Sequence, residues 1–245
     1  MSIQSFLQSA GRQYSDAARI HSSKLALVGQ PNTTESEILV ALGIASDCTR
    51  RAAALEPITF SNRRMMRDSK TPSVTEVLRF NLAWSGMNAL FSRDSVLSLL
   101  GLPATGGELA RFNALFVRAQ LPAGALDAHL TNLHALLQST KSTYVPGVVP
   151  GTAVSVLEVL HKKYTPVKYQ GMSVGLEIAR AITSGNYSRL DIPTLIYTMR
   201  NWSVHGVVIG SSFRSVPGFR TYIQNISEAL AMVHCHLAAE LVSVA

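Results

Sequence analysis

Ser73-Val74-Thr75-Glu76-Val77-Leu78-Arg79-Phe80-Asn81-Leu82-Ala83-Trp84-Ser85-Gly86-Met87-Asn88-Ala89-Leu90-Phe91 decides the fold class. Its large apolar residues Val77, Phe80, Trp84, Met87 and Phe91 fall 3, 4, 3 and 4 positions apart. A helix stacks that spacing on one face, whereas a strand would need steps of two. Ser73 and Glu76 have the spacing of a capping box and start the helix. The same periodicity accounts for Trp84 and Phe91 as core residues rather than as platforms for stacked bases.

The helical pattern continues in both directions. Upstream, residues 3–28 read as one or two short helices ending near Gly29 and Pro31. Thr34 and Glu37 form another capping box, and Ile38, Leu39, Leu42, Ala45, Cys48, Ala52 and Leu55 share the face of the helix that follows. Pro57 stops it, and residues 57–72 are irregular and basic. Downstream, the helix of residues 73–91 breaks near Ser92 and resumes to Leu100. Residues 107–121 and 123–139 read as two more helices. Residues 140–152 hold Pro146-Gly147 and Pro150-Gly151 and read as a loop. A helix through Val154, Leu157, Leu160 and His161 is predicted next, then one over 173–184. Asp191 caps another with Pro193 just inside it, and a last helix runs from about Phe219 to Val242. No long alternating run demands a sheet. The expected class is all-α, with a boundary at the 57–72 linker that separates a helical extension, 1–72, from a domain over 73–245.

Apolar residues make up 47% of the chain and charged ones 15%, which excludes a disordered polyelectrolyte. The net charge of +7 suits an anionic partner such as nucleic acid or a nucleotide, and equally suits ordinary solubility charge. Arg50-Arg51, Arg63-Arg64 with Arg67, and His161-Lys162-Lys163 are the basic clusters. They could track an RNA backbone or simply be solvated helix ends. Cys48 and Cys235 lie in apolar helical patterns and read as buried or half-buried thiols of a reducing compartment. The N-terminal stretch lacks the pattern of a signal peptide, and no apolar run approaches the roughly 18 residues a membrane span needs. A soluble, cytoplasmic protein with no membrane partner is expected.

The candidate chemistry sits in Arg200-Asn201-Trp202-Ser203-Val204-His205-Gly206. An always-charged phosphate binder stands near a titratable acid/base, with an amide between them. On an ideal helix positions 200 and 205 point about 140° apart, so the two meet only across a distorted turn or with a second chain. Gly206 eases such a turn. The plainer reading is a helix end, with Arg200 capping carbonyls and His205 bonding locally. His234-Cys235-His236 does not read as a metal site, because helical positions two apart point about 200° from each other. Gly171-Met172-Ser173-Val174-Gly175 has the spacing of a nucleophile elbow but lacks the strand and sheet that motif requires. No metal or cofactor is expected.

This run, Arg-Asn-three residues-His-Gly, resembles the signature of the HEPN superfamily. Arg79–Phe91 is similar to the aromatic-rich helix ending in Asn-Ala-Leu that is common in Apea-like HEPN domains. The resemblance covers roughly residues 73–245 and implies a HEPN-like antiparallel helical bundle with additional N-terminal helices. The last helix would then pair antiparallel with the helix of residues 74–91. It further implies a homodimeric, metal-independent endoribonuclease, in the manner of a toxin or defence effector, with RNA as substrate and an antitoxin or regulatory protein as partner. Carried onto this chain, His205 is the general acid/base, Arg200 binds the scissile phosphate and Asn201 orients the phosphate or the histidine. Arg63, Arg64, Arg67, Lys162 and Lys163 would bind RNA, and the product would be a 2′,3′-cyclic phosphate. The alternatives are a catalytically inactive HEPN module that binds nucleotide, RNA or protein, and an all-helical protein outside the superfamily.

Overall fold

A computed structural model describes residues 2–29, 32–58, 73–142, 153–155, 170–186, 188, 191–204 and 219–245. Among them the elements run α1 (Ile3–Val28), α2 (Thr33–Ala54), α3 (Ser73–Phe91), α4 (Asp94–Leu99), α5 (Glu108–Arg118), α6 (Asp127–Gln138), β1 (Thr140–Ser142), β2 (Ala153–Ser155), α7 (Gln170–Thr183), α8 (Ile192–Val204) and α9 (Phe219–Val244). The fold is all-α, as the periodicity predicts. The sole exception among the described residues is a three-residue antiparallel ribbon in which Thr140 faces Ser155 and Ser142 faces Ala153.

Two local expectations change and a third is narrowed. Val154 lies in β2 rather than opening a helix, since a β-branched residue suits extended backbone. Leu157, Leu160 and His161 lie outside the described residues. Helix α2 is capped two residues before Thr34: Asn32 Oδ1 accepts from Glu35 N–H at 2.9 Å, and Glu35 accepts from Asn32 N–H at 3.1 Å. Asparagine caps at least as well as threonine, so the earlier box takes the end. Residues 3–28 form one continuous helix, because Leu7, Ala10, Tyr14 and Ala17 keep a buried stripe at 3-4-3 spacing.

Packing sorts the chain into two units, one of residues 1–55, 78–122 and 227–245 and one of residues 56–77 and 123–226. Helices α1 and α2 therefore share a unit with most of α3 and α9.

In the first unit α1 and α2 form an antiparallel pair, with Ser15 beside Ser46 and Gly11 beside Thr49 and Arg50. A side chain at Gly11 would place its Cβ 2.5 Å from Arg50 Cγ, so glycine sets how closely these helices approach. Trp84, Phe91 and Phe112 pack as an aromatic cluster with centroids 4.9–6.3 Å apart, which confirms the first two as core. The buried Arg79 guanidinium donates to the carbonyls of Ala52 (3.2 Å) and Leu55 (2.7 Å), and so satisfies the C-terminal end of α2. Tyr14, Ala83 and His234 join α1, α3 and α9. His234 Nε2–H donates to Ala83 O at 2.8 Å, and Tyr14 O–H lies 2.9 Å from Nδ1.

In the second unit α7 lies against α8, where a Cβ on Gly175 would come within 2.4 Å of Thr198. His134 Nδ1–H donates to Ile182 O (2.8 Å) and Gln138 to Thr183 O (3.2 Å). Residues 134 and 138 of α6 thus cap the end of α7 from one face. Gln224 of α9 donates to Glu76 of α3 at 3.4 Å.

Candidate functional site

Helix α8 carries Arg200 and Asn201 in its last turn and ends at Val204. Its sequence fixes which way each residue faces. Ile192, Leu195, Ile196, Met199, Trp202 and Ser203 are buried on one side. Trp202, 1% exposed, sets this register, with its ring 6.3 Å from that of Tyr222 in α9. Arg200 stands about 200° from Trp202 on the helix, so burying the indole turns the arginine outward. Tyr197, Arg200 and Val204, three and four residues apart, form the opposite ridge, and Val204 is 58% exposed.

The guanidinium is held on this ridge from two sides. Arg200 Nη1–H donates to Asn201 Oδ1 at 2.8 Å. Arg200 Cζ lies 5.6 Å from the centroid of the Tyr197 ring, a cation–π distance. The Arg200 carbonyl accepts from Ser203 Oγ–H at 2.8 Å, which occupies one acceptor of the helix end. Asn201 itself is buried. Its carboxamide oxygen is turned onto the arginine, which makes it a positioning group for the cation.

Of the residues named from sequence, Arg200 and Asn201 are brought together. His205, Arg63, Arg64, Arg67, Lys162 and Lys163 lie outside the described residues. Tyr197 was not anticipated. The available signal was its position, one helical turn before the arginine on the same face.

The competing motifs fall within helices. Gly175 is a helix-packing position in α7, so the Gly171–Gly175 run is helical and carries no nucleophile elbow. Both ring nitrogens of His234 are engaged within the protein, and burial pushes its pKa down to about 4. Among the described residues no cluster of His, Cys, Asp and Glu could hold a metal ion, and no helix is long and apolar enough to cross a membrane. Cys48 and Cys235 are free and half-buried, and burial followed by Asp47 raises the Cys48 thiol above its ordinary range. Comparison with family models, with curated proteins and with solved structures yields no match.

Proposed function

We propose that this chain is a metal-independent endoribonuclease of the HEPN type that acts as a homodimer, with the end of α8 as its catalytic centre. Arg200 binds the scissile phosphate through its guanidinium fork, and Asn201 and Tyr197 hold that fork in place. His205, the residue after the helix ends, moves the proton. The ribose 2′-oxygen attacks phosphorus and the 5′-oxygen leaves with a proton. The products are a 2′,3′-cyclic phosphate and a 5′-hydroxyl, so DNA is not a substrate. The supporting observation is the Arg200–Asn201 hydrogen bond on the outward ridge of α8, with His205 five residues after the arginine in the sequence. A cation already oriented at the reacting phosphate costs little reorganisation during reaction.

A mixed RNA pool incubated with the protein in EDTA tests this. Cleavage with cyclic-phosphate ends is expected, reduced at least about a hundredfold in Arg200→Ala and His205→Ala. If RNA stays intact, or if both variants cut like wild type, the reading fails. A catalytically inactive HEPN module would bind RNA or nucleotide without cutting. The Ser203 hydroxyl on the Arg200 carbonyl suits a further reading, a helical protein outside the superfamily in which Arg200 and Asn201 only finish α8. That protein would neither bind nor cut RNA through Arg200.

A further inference from the structure

On the first unit, Gln8, Arg12, Ser15, Asp16 and Arg50 line a surface groove of about 380 Å³ between α1 and α2. Gln8, Arg12 and Ser15 are spaced four and three apart and form one stripe of α1. Arg50 comes from α2, where its aliphatic stem crosses α1 over Gly11, the site at which any Cβ would collide with Arg50 Cγ. The stem is pinned at its root, so less side-chain freedom remains to be lost on binding.

The hydrogen bonding narrows what the groove offers. Ser46 Oγ–H donates to Gly11 O at 2.7 Å, so the Ser15 hydroxyl, 2.7 Å away, donates its own hydrogen to Ser46. Ser15 therefore has no hydrogen left for a ligand. The remaining donors among the lining residues are the two guanidiniums and the Gln8 carboxamide. Among the described residues the carboxylates of this surface pair elsewhere, Asp16 with Arg19 at 3.7 Å and Asp47 with Arg51 at 2.9 Å. Neither Arg12 nor Arg50 has a carboxylate partner there.

We infer that this groove binds a phosphoryl group, gripped between the guanidiniums of Arg12 and Arg50. Two planar forks supplied by different helices to one groove match the oxygens of a phosphate better than point charges would. No aromatic side chain lines the groove, so recognition is of the phosphoryl group and not of a base. The ligand is either a small phosphorylated molecule or a phosphate of an RNA strand. The inference stands whether or not the α8 site cuts RNA.

The test follows the Arg12 and Arg50 side-chain Nε signals by NMR in the full chain during separate titrations with inorganic phosphate and with a short single-stranded RNA. Saturable shifts of both signals are expected. Arg12→Gln and Arg50→Gln should each weaken binding about tenfold. Asp16→Asn should strengthen it, because it removes the carboxylate lining the groove, and loss of folding cannot mimic a gain. RNA that displaces phosphate identifies a strand contact; phosphate binding without RNA binding identifies a small ligand. Both outcomes support the site. Unmoved arginine signals with both probes, or full binding by the folded Arg12→Gln/Arg50→Gln variant, overturn it.

Discussion

His234 should make this protein acid-sensitive, and the amount can be worked out. Ala83 O can only accept, so His234 Nε2 carries the hydrogen and the neutral ring takes the Tyr14 O–H at Nδ1. The ring is fully buried, and burial lowers its pKa from 6.5 to about 4, against a smaller upward pull from the Ala83 hydrogen bond. Between those values the unfolded chain binds a proton that the folded chain refuses. Stability is therefore complete above about pH 6.5, falls as pH drops through the window, and levels off below about pH 4. At about 1.4 kcal/mol per pKa unit the loss is about 3 kcal/mol, a large share of the roughly 5–15 kcal/mol that holds a domain together. Other groups titrate in this range, so the measurement must be a difference. Urea midpoints of wild type and His234→Gln between pH 7.5 and 4 provide it. Glutamine can still donate to Ala83 O, and at pH 7.5 the variant should lose about 1–3 kcal/mol for its altered contact with Tyr14. Its acid limb should be flatter by about 3 kcal/mol. If both proteins lose stability in parallel down to pH 4, or if the His234 ring titrates by NMR near 6.5, the reasoning is refuted.

Gly175→Ala should destabilise the chain by about 1–3 kcal/mol through the collision with Thr198, and Thr198→Ala should partly rescue it in a double-mutant cycle read by thermal unfolding. Arg79→Met leaves the carbonyls of Ala52 and Leu55 without this donor and should cost about 2–3 kcal/mol; Arg79→Lys, lacking the fork, should restore only part of that in urea unfolding. Burial raises the Tyr222 phenol well above its ordinary 10.0, so its stabilising share is complete below pH 10 and is lost as pH rises beyond it. Tyr222→Phe should flatten the alkaline limb of a stability–pH curve, and an unchanged limb would contradict this.

Helix existence was legible because it depends on local spacing. The 3-4-3-4 run of Val77–Phe91 and the 3-4-3 stripe of Leu7–Ala17 both became buried faces. The cap of α2 was misplaced because Asn32-Thr33-Thr34 offers three acceptable caps, and sequence does not rank them strongly. The β1–β2 ribbon escaped notice because three residues are too few to show alternation. The contacts of α3 with α9 were beyond reach for another reason. They join residues about 150 positions apart, Glu76 with Gln224 and Ala83 with His234, and periodicity carries no information about those. At the candidate site the arginine and asparagine were legible as residue types. Their mutual hydrogen bond and the Tyr197 ring beneath the guanidinium required coordinates.

The residues between Arg200 and His205 are more than spacers. With Trp202 packed beside Tyr222 and Gly175 fitting against Thr198, the register of α8 is fixed by its buried side. Rotating the helix by one position, about 100°, would carry Arg200 onto that apolar face. A lone cation there costs several kcal/mol, so the register that buries the indole is also the one that keeps the arginine off the apolar face. Two consequences separate a positioned site from a helix end. In a positioned site, Asn201→Ala should loosen the guanidinium while leaving the fold intact, because the residue's oxygen is turned onto Arg200. Trp202→Ala should instead damage the fold first, by about 3–5 kcal/mol, and activity only through it. A helix end without chemistry makes no such distinction, since both substitutions then register only as stability. The asparagine is thus the more telling residue of the pair.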